Sequence, residues 1–466
     1  MSDRSSGILV APSLAPTLAR DHVVGPPAIM DRRDAVIAGL GVVLAVIATG
    51  VAEVLVRAIA LITNLAYYGR LSLAAVSPAG TQLGALAVGV PILGAILVGL
   101  MARYGSRAIR GHGIPEAMEQ ILTNESKIPF RMTFLKPISS AIAIGTGGPF
   151  GAEGPIIATG GALGSAIGQL VRVTAGERKT LLAAGAAAGM TAIFGTPIAG
   201  VLLAIELLLF EYKPRSVVPV ALACAAAAAL RYALHGGEPC FAMPLLPAPT
   251  LATVVVATLA GGVIGVVATY VTRLVYWIED RFEHLPIHWM WWPAVGALVV
   301  GVVGLAAPRT LGVGYDNIEA ALGSKLTAGA LAVLCAAKLV SWSIALGSGT
   351  SGGTLAPLLT FGSGLGWLLC AGAAAVAPSL GIDPRIGALV GMAAMFAGAS
   401  RALLASIAFA LEATHQIDSV APIMSGVTLA YFVSCLMMRT TIMTEKLARR
   451  GVHVPHELAS VQAQAS

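Results

Sequence analysis

What this chain of 466 residues lacks most is charge. Asp, Glu, Lys and Arg together make up 11% of it, against roughly a quarter in soluble domains. A water-soluble globular fold could not cover its surface with so few. Nor is there a cysteine framework. Cys224, Cys240, Cys335, Cys370 and Cys435 fall at no metal-ligand or redox spacing, and most sit in apolar runs. A disulfide scaffold and a cysteine-based metal centre are therefore excluded. Residues 1–33 are polar and contain Pro, with no apolar core of a secretory signal, and read as a cytoplasmic tail. The balance of 29 basic against 23 acidic residues leaves a net +6. These basic residues are spread between apolar blocks, which suits short cytoplasmic loops and not a nucleic-acid surface.

What is present is long apolar sequence, 57% of the chain by residue type. Thr250 to Thr272 and Ser419 to Met438 carry no charge, and Leu326 to Ile382 carries only Lys338. A membrane crossing needs about 20 apolar residues, so the chain is expected to be an all-α, polytopic membrane protein. Roughly ten to twelve inserted stretches are expected, several of them half-spanning because Gly and Pro cut them short. The 54 glycines suit close helix–helix approach. Where Gly and Pro cluster, a broken helix at membrane depth must be buried in protein or line a cavity.

An internal repeat locates those breaks. A shift of 202 residues places Gly145, Gly147, Pro155, Gly160 and Gly164 on Gly347, Gly349, Pro357, Gly362 and Gly366. The same shift places Gly189, Met190 and Phe194 on Gly391, Met392 and Phe396, and Glu206 later answers Glu412. The expected organisation is a tail (1–33), a first repeat (34–215), a connecting segment (216–249), a second repeat (250–451) and a polar end (452–466). Interrupted apolar segments at matching places of two halves mark a transporter's binding site.

The chemistry of the breaks points to an anion. At 145–155 and 347–357 a Gly-rich break runs into a new apolar helix, whose first turn offers free N–H groups and the positive end of its dipole. Two such ends aimed at one place bind an anion without a cationic side chain. Gly111-His112-Gly113-Ile114-Pro115 is a third such start. Glu153 is the sole ionisable residue between Pro137 and Val171. An intramembrane carboxylate is costly and functional by default; being an anion, it can occupy the site the helix ends create and leave it on protonation.

Gly111 to Pro115, Gly151-Ala152-Glu153-Gly154-Pro155 and Gly353-Thr354-Leu355-Ala356-Pro357 resemble the three signature segments of the CLC chloride channels and transporters. Phe194 to Glu206, Arg401-Ala402-Leu403 and Thr444 to Gly451 agree with the same family, and the likeness covers about 34–451. The resemblance implies inverted repeats, a homodimer with a pore in each subunit, a small monovalent anion such as chloride as cargo, no cofactor, and a multi-pass protein of the cell membrane. It also implies that regulatory nucleotide-binding domains, where present, follow the last helix, for which this chain has too little sequence. Residue by residue, it makes Glu153 the gate and places the anion on the amides of Thr354 and Leu355, with His112, Gly113, Ile114 and Met443 around it. His112 stands where the family commonly has Ser, Met443 where it has the pore Tyr, and Ala152 where many members have Arg.

Proton coupling is the open point. Coupled members carry a second glutamate just after the position matched by Glu206, and here that place is Leu207. Glu206 and Glu211 are the nearest substitutes, though one residue turns a helix by about 100°. Leu207 tips the expectation slightly toward a glutamate-gated channel, with Cl−/H+ antiport as the close alternative. Two other classes weigh less. Gly349-Thr350-Ser351-Gly352 fits the nucleophile signature of rhomboid-like intramembrane serine proteases, with His415 as the required base. A cation or neutral-solute carrier needs acidic or carbonyl-lined cavities, for which Glu153 alone speaks.

Overall fold

The computed structural model describes residues 29–455, and every regular element in that range is helical apart from two isolated β-bridges. Most of the two expected tails, 1–28 and 456–466, lies outside the described residues. The first half holds α1 (Arg32–Tyr68), α2 (Gly89–Leu100), α3 (Ile114–Thr123), α4 (Met132–Gly145), α5 (Glu153–Leu170), α6 (Ala175–Phe194), α7 (Pro197–Leu203) and α8 (Pro214–His235). The second half answers in the same order. It holds α9 (Leu251–Glu283), α10 (Trp292–Ala306), α11 (Tyr315–Leu322), α12 (Ala328–Gly347), α13 (Leu355–Val376), α14 (Pro384–Ser400), α15 (Leu403–Thr414) and α16 (Val420–Met437). A short α17 (Glu445–Arg449) follows. Eight helical stretches among the described residues are long and apolar enough to cross a membrane. Met132–Gly145, Pro197–Leu209 and Leu403–Thr414 are apolar but shorter. The stretch expected to connect the halves contains most of α8, which packs on α1 and α6 as the eighth helix of the first set.

Local sequence explains the ends of these helices. Asp31 starts α1 by accepting from the amides of Arg33 and Asp34, while Asp34 returns a bond from the Asp31 amide at 2.8 Å. Such a capping box satisfies N–H groups that have no partner inside the helix. Gly69 ends α1 in the left-handed region at φ 63°, where a residue without Cβ is not strained.

The repeated glycines are the seams of the packing. A Cβ on Gly160 would lie 2.1 Å from the Gly185 carbonyl oxygen, seating α5 directly on α6. Gly362, the repeat mate of Gly160, does the same for α13 and α14 one turn further along, where a Cβ would lie 2.2 Å from the Gly391 oxygen. Backbones this close gain dispersion contacts that lipid cannot supply.

Buried polar groups show the same two-fold relation. Lys136 on α4 donates to the carbonyls of Ile109 and Gly111, each at 2.8 Å. Lys338 on α12 donates to the carbonyls of Thr310 and Gly312, each at 3.0 Å. Both lysines are almost fully buried. Each ties down the loop that starts a short helix, α3 in one half and α11 in the other. Glu206 accepts from the amides of Leu404 and Ala405 at the start of α15, at 2.9 and 3.0 Å. Glu412 accepts from Ile198 and Ala199 at the start of α7, at 2.9 and 2.8 Å. This exchange, in which each half caps a helix of the other, is what a local two-fold axis produces.

Candidate anion site

The breaks of the two halves interlock at one place. Gly151 and Gly353, repeat mates, form an antiparallel bridge with amide-to-carbonyl distances of 3.4 and 3.1 Å. Gly111 pairs with the same break, donating to the Thr350 carbonyl at 3.1 Å and accepting from Gly352 at 3.4 Å. These contacts bring the starts of α3, α5 and α13 together. The close approach depends on glycine, because a Cβ on Gly154 would lie 2.1 Å from the His112 oxygen and 2.8 Å from the Gly353 Cα. Arg110 secures the junction from one side. It donates to the Gly349 carbonyl at 3.2 Å and stacks on Trp289 and Trp292.

Glu153 lies at that junction and is fully buried. It is the first residue of α5, and its carboxylate folds back over Gly151, where a Cβ would lie 1.7 Å from Oε2. Oε2 accepts from the Tyr315 hydroxyl at 3.3 Å. Oε1 is buried without a hydrogen-bond partner among the described residues. The amides of Glu153 itself and of Ala356 lie within electrostatic reach. The carboxylate thus sits on the positive ends of α5 and α13, where a mobile anion would also be most stable.

The remaining candidates divide. The amides of Thr354 and Leu355, at the start of α13, belong to the first-turn donors with no partner inside the helix. His112 is 5% exposed and its Nδ1 has no partner among the described residues. The Gly113 amide is engaged, donating to Glu116 at 2.6 Å, and Ile114 begins α3 beside it. Met443 is fully buried and its amide donates to the Thr441 hydroxyl at 3.1 Å; its thioether offers no hydrogen to an anion. Glu206 is bound into the cap of α15. Glu211 accepts from Ser216 at 2.8 Å and pairs with Lys213 at 2.8 Å. Leu207 is 4% exposed among other apolar residues.

The protease reading falls on geometry. The Ser351 hydroxyl is buried against those of Ser139 and Ser140, at 3.1 and 2.9 Å, while His415 is exposed at the end of α15. No serine–histidine pair exists there for proteolysis. Arg401 donates to the carbonyls of Met438 and Arg439.

Sequence reasoning missed Tyr315. Its signal was present one residue out of register: at a shift of 201, Gly312-Val313-Gly314-Tyr315 answers Gly111-His112-Gly113-Ile114. Gly314 has φ +77° and Gly113 φ +98°, so both short helices begin after a glycine at positive φ. Two cavities lead toward these starts. One of about 620 Å³ is lined by Arg110, Glu116, Lys136 and Lys446. Another of about 310 Å³ is lined by Ala152, Gly314, Tyr315 and Asp316.

Comparison with known proteins identifies the family. The profile of the voltage gated chloride channel family matches residues 93–435. Chloride channel protein CLC-f of Arabidopsis thaliana is 29% identical over 371 residues, covering 74% of this chain but only 46% of its own length. The H(+)/Cl(−) exchange transporter ClcA of Vibrio cholerae is 31% identical over 340 residues, covering 70% of each chain. Among solved structures, a slow cyanobacterial Cl−/H+ antiporter superposes with a TM-score of 0.79 at 22% identity, over 90% of this chain and 98% of that one. A CLC-type fluoride/proton antiporter gives 0.71 at 22% identity, over 86% and 95%. The helical membrane fold, the glycine-built breaks and the matched sequence converge, and the chain belongs to the voltage-gated chloride channel (CLC) family.

Proposed function

We propose that the protein exchanges chloride for protons across a cell membrane, with Glu153 as the group that serves both ions. The observation that carries this reading is the buried Glu153 carboxylate seated on the positive ends of α5 and α13. Deprotonated, it competes with an anion for that place; protonated, it loses its attraction to the helix ends and yields the site. The backbone supplies the binding through the amides of Thr354 and Leu355, while His112 brings its carbonyl to the same junction. The relatives named as H(+)/Cl(−) exchange transporters support exchange over the passive channel that Leu207 alone suggests.

The second reading, gated chloride conduction, keeps one specific support. Leu207 cannot carry a proton, and the carboxylates of Glu206 and Glu211 are both committed to structural bonds. Exchange therefore needs a proton route that bypasses position 207. We further propose that the protein acts as a homodimer through the faces of α7, α8, α15 and α16. There Ile198, Leu404, Met424 and Phe432 stand exposed, each by half or more of its surface.

The testing experiment is anion efflux from chloride-loaded liposomes. Glu153→Gln cannot ionise, so it should pass chloride at a rate independent of pH while moving no protons. Efflux by Glu153→Gln that keeps the pH dependence of the wild type would reject Glu153 as the gate.

A further inference from the structure

We infer that the Tyr315 hydroxyl is an anion ligand of the central site, occupied by Glu153 when the site is shut and by the transported anion when Glu153 leaves. This rests on the anion-transport reading above and goes beyond it by naming a side chain that the sequence motifs do not contain.

The ring and the hydroxyl of Tyr315 have separate work. The ring packs edge-on against Phe194 and Phe241, with centroids 5.8 Å away in each case. Phe409 completes the cluster against Phe194 at 5.0 Å. A phenylalanine would serve that cluster equally well. A buried hydroxyl amid aromatic rings is unfavourable unless it has a partner. Its partners are the Glu153 carboxylate at 3.3 Å and the backbone of Ala152. The hydroxyl therefore points into the junction of helix starts, at the edge of the 310 Å³ cavity that Ala152 and Tyr315 both line.

Chemistry assigns the ligand. The phenol O–H donates, and the position it donates to is held by a carboxylate oxygen, so what replaces that oxygen must also accept. A small anion does so; a cation would meet only the hydroxyl lone pairs and the positive helix ends. Besides Tyr315, two side chains lie within electrostatic reach of Glu153, and neither takes this part. Lys338 is committed to the carbonyls of Thr310 and Gly312, and Cys240 is a weak donor. Met443 has no hydrogen to give. The hydroxyls of Ser139 and Ser140 both bond to that of Ser351. The backbone turn at Gly312 and Gly314, held by Lys338, fixes the start of α11 and with it the direction of Tyr315.

The test is chloride binding by titration calorimetry to purified Glu153→Gln, with and without Tyr315→Phe. The second change removes one oxygen and keeps the ring. A hydrogen bond to a charged partner is lost, so chloride should bind about tenfold more weakly to the double variant, at an unchanged melting temperature. Equal affinities would overturn the assignment. Absence of chloride binding by Glu153→Gln itself would overturn the anion reading, and this inference with it. Should Tyr315→Phe fail to fold, crystals of Glu153→Gln soaked in bromide decide without it. An anomalous peak within hydrogen-bond distance of the Tyr315 hydroxyl is expected, and a bromide bound elsewhere in the site would refute the role.

Discussion

Two lysines in the middle of apolar helices are the least expected residues of this chain, and they show how single residues hold the site. Lys136 and Lys338 each spend a buried ammonium on two carbonyls of the loop that begins a short helix. Replacing either by Met keeps the volume and leaves those carbonyls short of a donor. Lys338→Met should lower stability by about 2 kcal/mol, read as a lower unfolding temperature in detergent. It should also slow chloride efflux, because the start of α11 carries Tyr315. An unchanged melting temperature would show that the loop does not depend on the lysine. At this scale the sequence was partly legible. Glu153 stood out because an isolated carboxylate in apolar sequence is expensive. Tyr315 did not, because a tyrosine near a helix end is ordinary and its partner lies 162 residues away.

At the scale of elements, helices are joined by glycine seams and by exchanged caps. Gly362 meets Gly391 with no room for a side chain, so Gly362→Val would drive α13 off α14 and displace Thr354 and Leu355 at its start. Overpacking of this kind costs about 1–3 kcal/mol, and chloride binding should fall along with the melting temperature. Retained affinity would mean that the seam does not position the site. The exchanged caps carry a sharper expectation. Glu206 and Glu412 occupy equivalent places, each holding two amides of the opposite half. Glu206→Gln and Glu412→Gln should therefore destabilise by similar amounts, about 1 kcal/mol each. Similar losses in unfolding experiments, with the proton-to-chloride ratio unchanged, fit a cap. Loss of proton movement in Glu206→Gln alone would make it the relay. The glycine offsets at 202 residues marked the two halves and their breaks, but not which glycines meet, since Gly160 meets Gly185 while its mate Gly362 meets Gly391. The reciprocal capping was harder to read, because it depends on how the halves face each other, and a single sequence does not encode that directly.

At the scale of the whole molecule, scarcity of charge foretold a membrane protein. The repeat foretold two halves that meet at a buried site. The boundary between those halves was less visible, because α8 reads as one more apolar stretch until its packing on α1 and α6 is seen. The choice between conduction and exchange lay furthest from the sequence. It depends on whether protons reach Glu153 at all, and Leu207 closes the route that the motifs would suggest. The decisive measurement is simultaneous recording of chloride efflux and proton movement from liposomes containing the wild-type protein and loaded with chloride, with no initial pH gradient. Exchange predicts that outward chloride flow drives protons inward and builds a pH gradient, which collapses on adding a protonophore. Chloride efflux with no proton movement would contradict it and leave a gated channel.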